Sequence, residues 1–197
     1  MVIQNKQQAQ TQREAEIHTS TVHHTIDALP PDGDTLPKTL LKTARQYAKR
    51  IAMRKKRYGI WQEYTWEESF QHIHDFCLGL VSLGLQRGEK VAIIGENDPQ
   101  FYWGEVAVHA AGGTSVAIFT DAGPQELLYV IDNSESVFLL AHDQEQCDKA
   151  LELRAKMPAI RKVIYWEERG LWSYDDPWLM SFEQVEALGS AQIAALS

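Results

Sequence analysis

The stretch that most invites chemistry is Val91-Ala92-Ile93-Ile94-Gly95-Glu96-Asn97-Asp98-Pro99. A short apolar run ends at a glycine and a proline-led segment follows. Strand, turn and helix in that order can seat a phosphate on a helix N-terminus. Charge and glycine count argue against it here. A dinucleotide turn needs several glycines so that backbone can approach a pyrophosphate, and Gly95 stands alone. Glu96 and Asp98 would repel that anion. Asp98 is placed as an N-cap with Pro99 at the first helical position, so its side chain is expected to take the N–H groups an anion would want. The expectation is a structural βα turn.

The other reactive side chains are scattered. Glu96, Asp98, Asp121 and Asp132 are read as turn carboxylates near strand ends. Nothing in the sequence pairs them with a nucleophile or a base, and such carboxylates usually cap. His72 and His74 lie two residues apart on a helical pattern, which points them about 200° apart and prevents a shared metal. His23 and His24 have no companion ligands nearby. Cys77 and Cys147 fit neither zinc spacing nor a CxxC motif and are read as buried free thiols. The basic run Lys49, Arg50, Arg54, Lys55, Lys56, Arg57 is read as cations at a helix C-terminus and on a solvated strand face, with a membrane-surface patch as the alternative. Trp166, Trp172 and Trp178 are expected to pin a loop to the core, with lipid contact as the alternative. No residue is assigned a catalytic, cofactor-binding or metal-binding role.

The elements that position these groups are readable. Leu40, Ala44, Tyr47 and Ile51 recur at helical spacing, with Pro37 in the first turn. Tyr58 to Thr65 reads as an aromatic strand or hairpin. Thr65 and Glu68 form a capping box for a helix with Phe70, Ile73, Cys77, Leu80 and Val81 on one face, stopped near Gly84. Unbroken apolar runs begin near Val91, Ser115, Val137 and Lys162. Helical segments at 99–111, 124–134 and 144–156 separate them, started by Asp98-Pro99, by Gly123-Pro124, and by Asp143 with Gln146. Runs without alternation belong to strands buried on both faces. The expectation is therefore an α/β fold: a layered, mostly parallel sheet flanked by helices. Ser181 and Gln184 form a further capping box, opening a short last helix.

Composition bounds the rest. The chain has 197 residues, 44% of them hydrophobic, and six tryptophans, enough for one good core. A net charge of −8 disfavours nucleic acid as a partner. No apolar stretch reaches the length of a membrane span, and no signal peptide is visible. Residues 1–34 are polar and rich in glutamine and threonine, and are expected to be a disordered tail.

From Asp34 to Gly189 the pattern resembles the N-terminal portion of a long-chain fatty acid–CoA ligase, in the adenylate-forming (AMP-dependent synthetase) superfamily. The carrying stretches are DTLPKTLLKTA (34–44), GIWQEYTWEE (59–68), LGLVSLGLQRGEKVAIIGENDPQFYW (78–103), HAAGGTSVAIF (109–119), ELLYVIDNSESVFLLAHDQEQCDKALEL (126–153) and KVIYWEERGLWSYDDPWLMSFEQV (162–185). The resemblance implies ATP- and Mg²⁺-dependent activation of a fatty acid to an acyl-adenylate, then displacement of AMP by coenzyme A. It also implies a Thr/Ser/Gly-rich phosphate loop, acidic and ribose-binding residues downstream and a mobile C-terminal domain with a lysine. None of those motifs occurs in these 197 residues. Ala111-Gly112-Gly113-Thr114-Ser115, the nearest glycine cluster, resembles the family's structural turn. The expectation is an incomplete N-terminal domain at 35–197, inert alone and binding no cofactor itself, with the remainder of the enzyme as a possible partner. The alternative is a free-standing, non-catalytic interaction module of the same descent. A cytoplasmic location is expected, with peripheral association at the inner face of a membrane as an option.

Overall fold

A computed structural model describes residues 35–196. The expected tail and the His23–His24 pair lie outside the described residues. Helix α1, Leu36–Tyr47, starts at Thr35, whose hydroxyl accepts from the Lys38 backbone N–H. The helical spacing running on to Ile51 is misleading. The helix stops at Tyr47, and Ile51 opens strand β1, Ile51–Arg57. Pairing with β2, Ile60–Thr65, overrides the local pattern. The two strands form an antiparallel hairpin whose turn, Tyr58-Gly59, has positive φ at both residues (50° and 82°). A two-residue turn of that conformation matches the twist of the strands it joins.

The capping box at Thr65 forms as expected. The Thr65 hydroxyl accepts from Glu68 N–H and the Glu68 carboxylate accepts from Thr65 N–H. It opens α2, Trp66–Ser82. The repeating part then follows: β3 (Lys90–Ile94), α3 (Pro99–Ala110), β4 (Thr114–Ile118), α4 (Pro124–Ser134), β5 (Ser136–Ala141), α5 (Gln144–Leu153) and β6 (Lys162–Tyr165). Helix α5 is shorter than its sequence pattern because Arg154–Lys156 tightens into a 3₁₀ turn. Strand β7, Leu179–Ser181, is too short to register as a pattern, and it joins the sheet beyond β6. The last helix, α6 (Phe182–Leu196), is longer than expected. Its cap is the expected one: Ser181 Oγ accepts from Gln184 N–H, and Gln184 Oε1 accepts from Ser181 N–H.

The sheet runs β4-β3-β5-β6-β7, with every neighbouring pair parallel. Both faces are covered, which explains the unbroken apolar strands. Val91 and Ile93 of β3 face a core shared with α2, α3 and α6, while Ala92 and Ile94 face a second core under α4 and α5. Rings bind the first core together: Phe76 and Phe182 stack at 3.8 Å. The chain moves outward from β3 to β4, then returns to the other side of β3 for β5. That reversal leaves a crevice outside the carboxyl ends of β3 and β5, where open α/β sheets usually place their ligands.

Candidate functional site

The turn after β3 ends in this crevice. Gly95 is there for room: a Cβ at that position would sit 2.5 Å from the Trp166 ring and 2.7 Å from His142 Cβ. An indole standing over the turn fills the space a phosphate would need. The residues present therefore do not fit a nucleotide phosphate at this turn. Among the described residues no group of three or more His, Cys, Asp or Glu could hold a metal ion.

Asp98 corrects one expectation. Its backbone occupies the N-cap position of α3, but its side chain makes no capping hydrogen bond. The carboxylate turns into the crevice instead. Lys55 of β1 pairs with Oδ1, Trp166 Nε1 donates to Oδ2 at 3.4 Å, and His142 Nε2 lies 3.4 Å from the same oxygen. Asp98 is 8% exposed, and a carboxylate so buried needs a cation and donors. The helix loses little by this, because the Phe101 N–H is bonded to the Asp98 carbonyl oxygen at 3.1 Å. Lys55 is therefore not part of a solvated strand face, which corrects a second expectation. The other face of β1 does meet solvent, with Arg54 paired to Glu63 at 2.8 Å.

The result is a cleft of about 350 Å³ between the hairpin and the ends of β3, β5 and β6. Arg57, Tyr58, Gln62 and Tyr64 come from the hairpin; His142, Trp166, Glu167 and Arg169 come from the sheet side. His142 stacks on Trp166 with ring centres 5.2 Å apart, and its Nδ1 lies 3.9 Å from Asp143. Burial holds the His142 imidazole below its ordinary range; Asp143 opposes that shift and Lys55 adds to it. An imidazole beside a carboxylate could orient a proton acceptor, but no Ser, Thr or Cys lines the cleft. Among the described groups this one fastens the hairpin to the sheet.

The remaining candidates separate. Glu96 and Asn97 line a second crevice with Phe101 and Phe119. Asp121 lies in the turn after β4, and Asp132 lies within α4 rather than in a turn. His72 stacks on Trp103 at 3.9 Å and its Nδ1 meets Glu186 at 2.6 Å, whereas His74 Nδ1 meets Asp75 at 3.2 Å. Cys147 is a buried free thiol, pushed up to about 12 by burial, with Asp143 and Asp148 adding to it. Cys77 is only half-buried. Trp166 and Trp178 do pin the β6–β7 loop, with Trp178 Nε1 donating to Ile160 O at 2.9 Å, but Trp172 is 81% exposed. The sequence reading missed His142 and the Lys55–Asp98 pair. His142 follows directly on β5, and position at a switch point is the one signal that could have found it.

Comparison with known proteins follows the same line. Residues 40–189 match the profile described as AMP-binding enzyme. The chain is 24% identical over 157 residues to the long-chain-fatty-acid–CoA ligase ACSBG2 of Xenopus laevis, covering 80% of this chain and 21% of that protein. It is 30% identical over 106 residues to the long-chain-fatty-acid–CoA ligase FadD15 of Mycobacterium bovis, covering 54% of this chain and 18% of that protein. It thus spans about a fifth of the length of these relatives. Among solved structures, acetoacetyl-CoA synthetase from Streptomyces lividans superposes with a TM-score of 0.69 at 22% identity, over 77% of this chain and 24% of that one. An anthranilate CoA ligase in complex with anthranoyl-AMP gives 0.66 at 18% identity, over 77% and 27%. At such identities the likeness is one of fold.

Proposed function

The chain belongs to the AMP-binding enzyme family, and from that premise we propose that residues 35–197 form the leading part of the scaffold of a long-chain fatty acid–CoA ligase. The observation that carries this reading is the match to such a ligase along 80% of this chain, confined to 21% of the relative. The reaction would be ATP-dependent activation of a fatty acid, followed by transfer to coenzyme A. A carboxylate oxygen becomes a leaving group only when its developing charge is held by cations and oriented donors.

These 197 residues hold no glycine-rich cradle for a triphosphate, and the turn after β3 is filled by Trp166. The contribution of this segment is therefore architectural, and by itself it does not adenylate. ATP, Mg²⁺, fatty acid and coenzyme A would engage polypeptide other than this, which is also the partner that the segment would meet. The purified chain, given ATP, Mg²⁺, palmitate and coenzyme A, should release no pyrophosphate above a no-protein control. Sustained, palmitate-dependent release would overturn the reading.

A further inference from the structure

The β1–β2 hairpin stands apart from the five-stranded sheet, with no backbone pairing between the two. No residue of either strand is buried, although Met53 and Tyr64 pack against the first core. A two-stranded unit of this kind is marginal by itself and depends on its ties. Its base is fixed by backbone: Trp66 N–H donates to Arg50 O at 3.0 Å and Glu67 N–H to Ala48 O at 3.1 Å. Beyond the base its polar ties to the sheet side are ion pairs, Lys55 to Asp98 and Arg57 to Glu167 at 3.2 Å. Segments held in this way lie at the low-stability end of a fold and open before the core does.

His142 lines the cleft that the hairpin walls, and its side chain is only 16% exposed. Charged groups face the ring from every side. Asp98 lies 3.4 Å from Nε2 at the start of α3, and Asp143 lies 3.9 Å from Nδ1 just after β5. Glu96 acts on it from the turn after β3, Glu167 from the segment after β6, and Lys55 from β1. Arg57 and Arg169 also border the cleft, but Glu167 holds both. Burial is the main influence keeping the imidazole neutral, and Lys55 adds to it. Both influences depend on the closed hairpin, because Lys55 belongs to β1 and β1 walls the cleft. The carboxylates that favour a charged ring, Asp143, Glu96 and Glu167, stay with the sheet when the hairpin moves. So does Asp98, whose cation leaves with the strand.

We propose that the hairpin is a proton-released strap: protonated His142 takes Asp98 from Lys55, and the hairpin lifts from its cleft at the strand ends. The physical basis is a competition of two cations for one buried carboxylate. With the hairpin closed, Lys55 occupies Asp98 and the neutral ring is favoured. With it lifted, water reaches the ring, the nearby cation is gone and Asp98 is free to pair with the imidazolium. Lifting therefore raises the affinity of His142 for a proton. By reciprocity, a proton on His142 favours the lifted hairpin. The strap is closed at neutral pH and shifts toward open as pH falls below the ordinary histidine value of about 6.5. The proposal stands apart from the ligase reading, because it needs only these residues.

The test is deuterium exchange of the full 197-residue chain at about pH 7 and about pH 5.5, corrected for the pH dependence of chemical exchange. Protection of the amides in 51–65 is expected to fall severalfold on acidification, with a ceiling of about eightfold for an open-state histidine near its ordinary value. Protection in β5, 136–141, is expected to hold. His142→Gln should make the hairpin profile independent of pH, and Lys55→Met should leave the hairpin poorly protected at both pH values. Circular dichroism checks that each variant folds, and the wild-type comparison of hairpin with β5 needs neither. Hairpin protection that does not change with pH overturns the proposal, as does a Lys55→Met hairpin protected like the wild type. An acid-induced loss that His142→Gln retains also overturns it, and would point to His72, which stacks on Trp103 at 3.9 Å. So does a parallel loss in β5, since that is unfolding of the whole chain rather than release of a strap.

Discussion

Asp98 shows how one side chain can be placed correctly by its neighbours in sequence and still be misjudged. Its backbone caps α3, yet its carboxylate serves Lys55, His142 and Trp166. The clearest consequence concerns His142. Burial, opposed by Asp143, leaves its folded pKa below the ordinary 6.5. Between those two values the unfolded chain binds a proton on His142 and the folded chain does not, so acidification favours unfolding. The stability tied to the neutral imidazole is fully present above about pH 6.5 and is lost as pH falls toward the folded value. The urea midpoint of the wild-type chain should therefore fall more steeply between about pH 7 and pH 5 than that of His142→Gln. Parallel profiles would show that His142 carries none of this dependence. At this scale the sequence was informative about what Gly95 is not, since charge and glycine count are local properties. It was silent on Lys55 and His142, because their roles come from strands brought together only by the tertiary fold.

Elements were more legible than side-chain partners. Caps are local chemistry, so Thr65 with Glu68, Asp143 with Gln146, and Ser181 with Gln184 all marked helix starts that the structure contains. Unbroken apolar runs marked the parallel strands. What failed was length and crossover: β7 is three residues long, and Ile51 exchanged a helical spacing for a strand pairing. The packing of α2 against α6 was also invisible. Gly79 of α2 and Gly189 of α6 let the two helices approach so closely that a Cβ on Gly189 would run into the Asp75 carbonyl, and one on Gly79 into that of Val185. Two effects then compete at Gly189. Helix propensity favours Ala over Gly by about 1 kcal/mol. Forcing a methyl into a backbone contact costs about 1–3 kcal/mol, because neither helix backbone can yield as a side-chain end would. Gly189→Ala should therefore destabilise the chain in urea unfolding, while the exposed control Ser190→Ala should not. A stabilised Gly189→Ala would mean that α6 does not seat against α2 as described.

At the scale of the molecule, the question is whether this unit closes on itself. Both faces of its sheet are covered, which favours self-sufficiency. Its β4 side argues the other way. In the described residues β4 is the last strand on that side, so one row of its backbone groups has no strand partner. Phe119, directly after β4, is 81% exposed, and it borders a crevice of about 280 Å³ with Ala117, Ile118 and Phe101. An open edge beside a bare aromatic is a template for association, and proteins that live with such edges usually blunt them with charge or proline. No Lys, Arg or Pro lies between Thr114 and Phe119. If the segment is part of a larger scaffold, the isolated chain should bind a hydrophobic dye and scatter light increasingly with concentration. Phe119→Lys should reduce both signals while leaving the circular dichroism spectrum unchanged, since an exposed side chain leaves no cavity when it is replaced. A wild-type chain that stays monomeric, takes up no dye and unfolds in one cooperative step would point instead to a free-standing module, because a sheet edge that neither recruits a neighbour nor exposes its apolar flank has nothing left for the rest of an enzyme to cover.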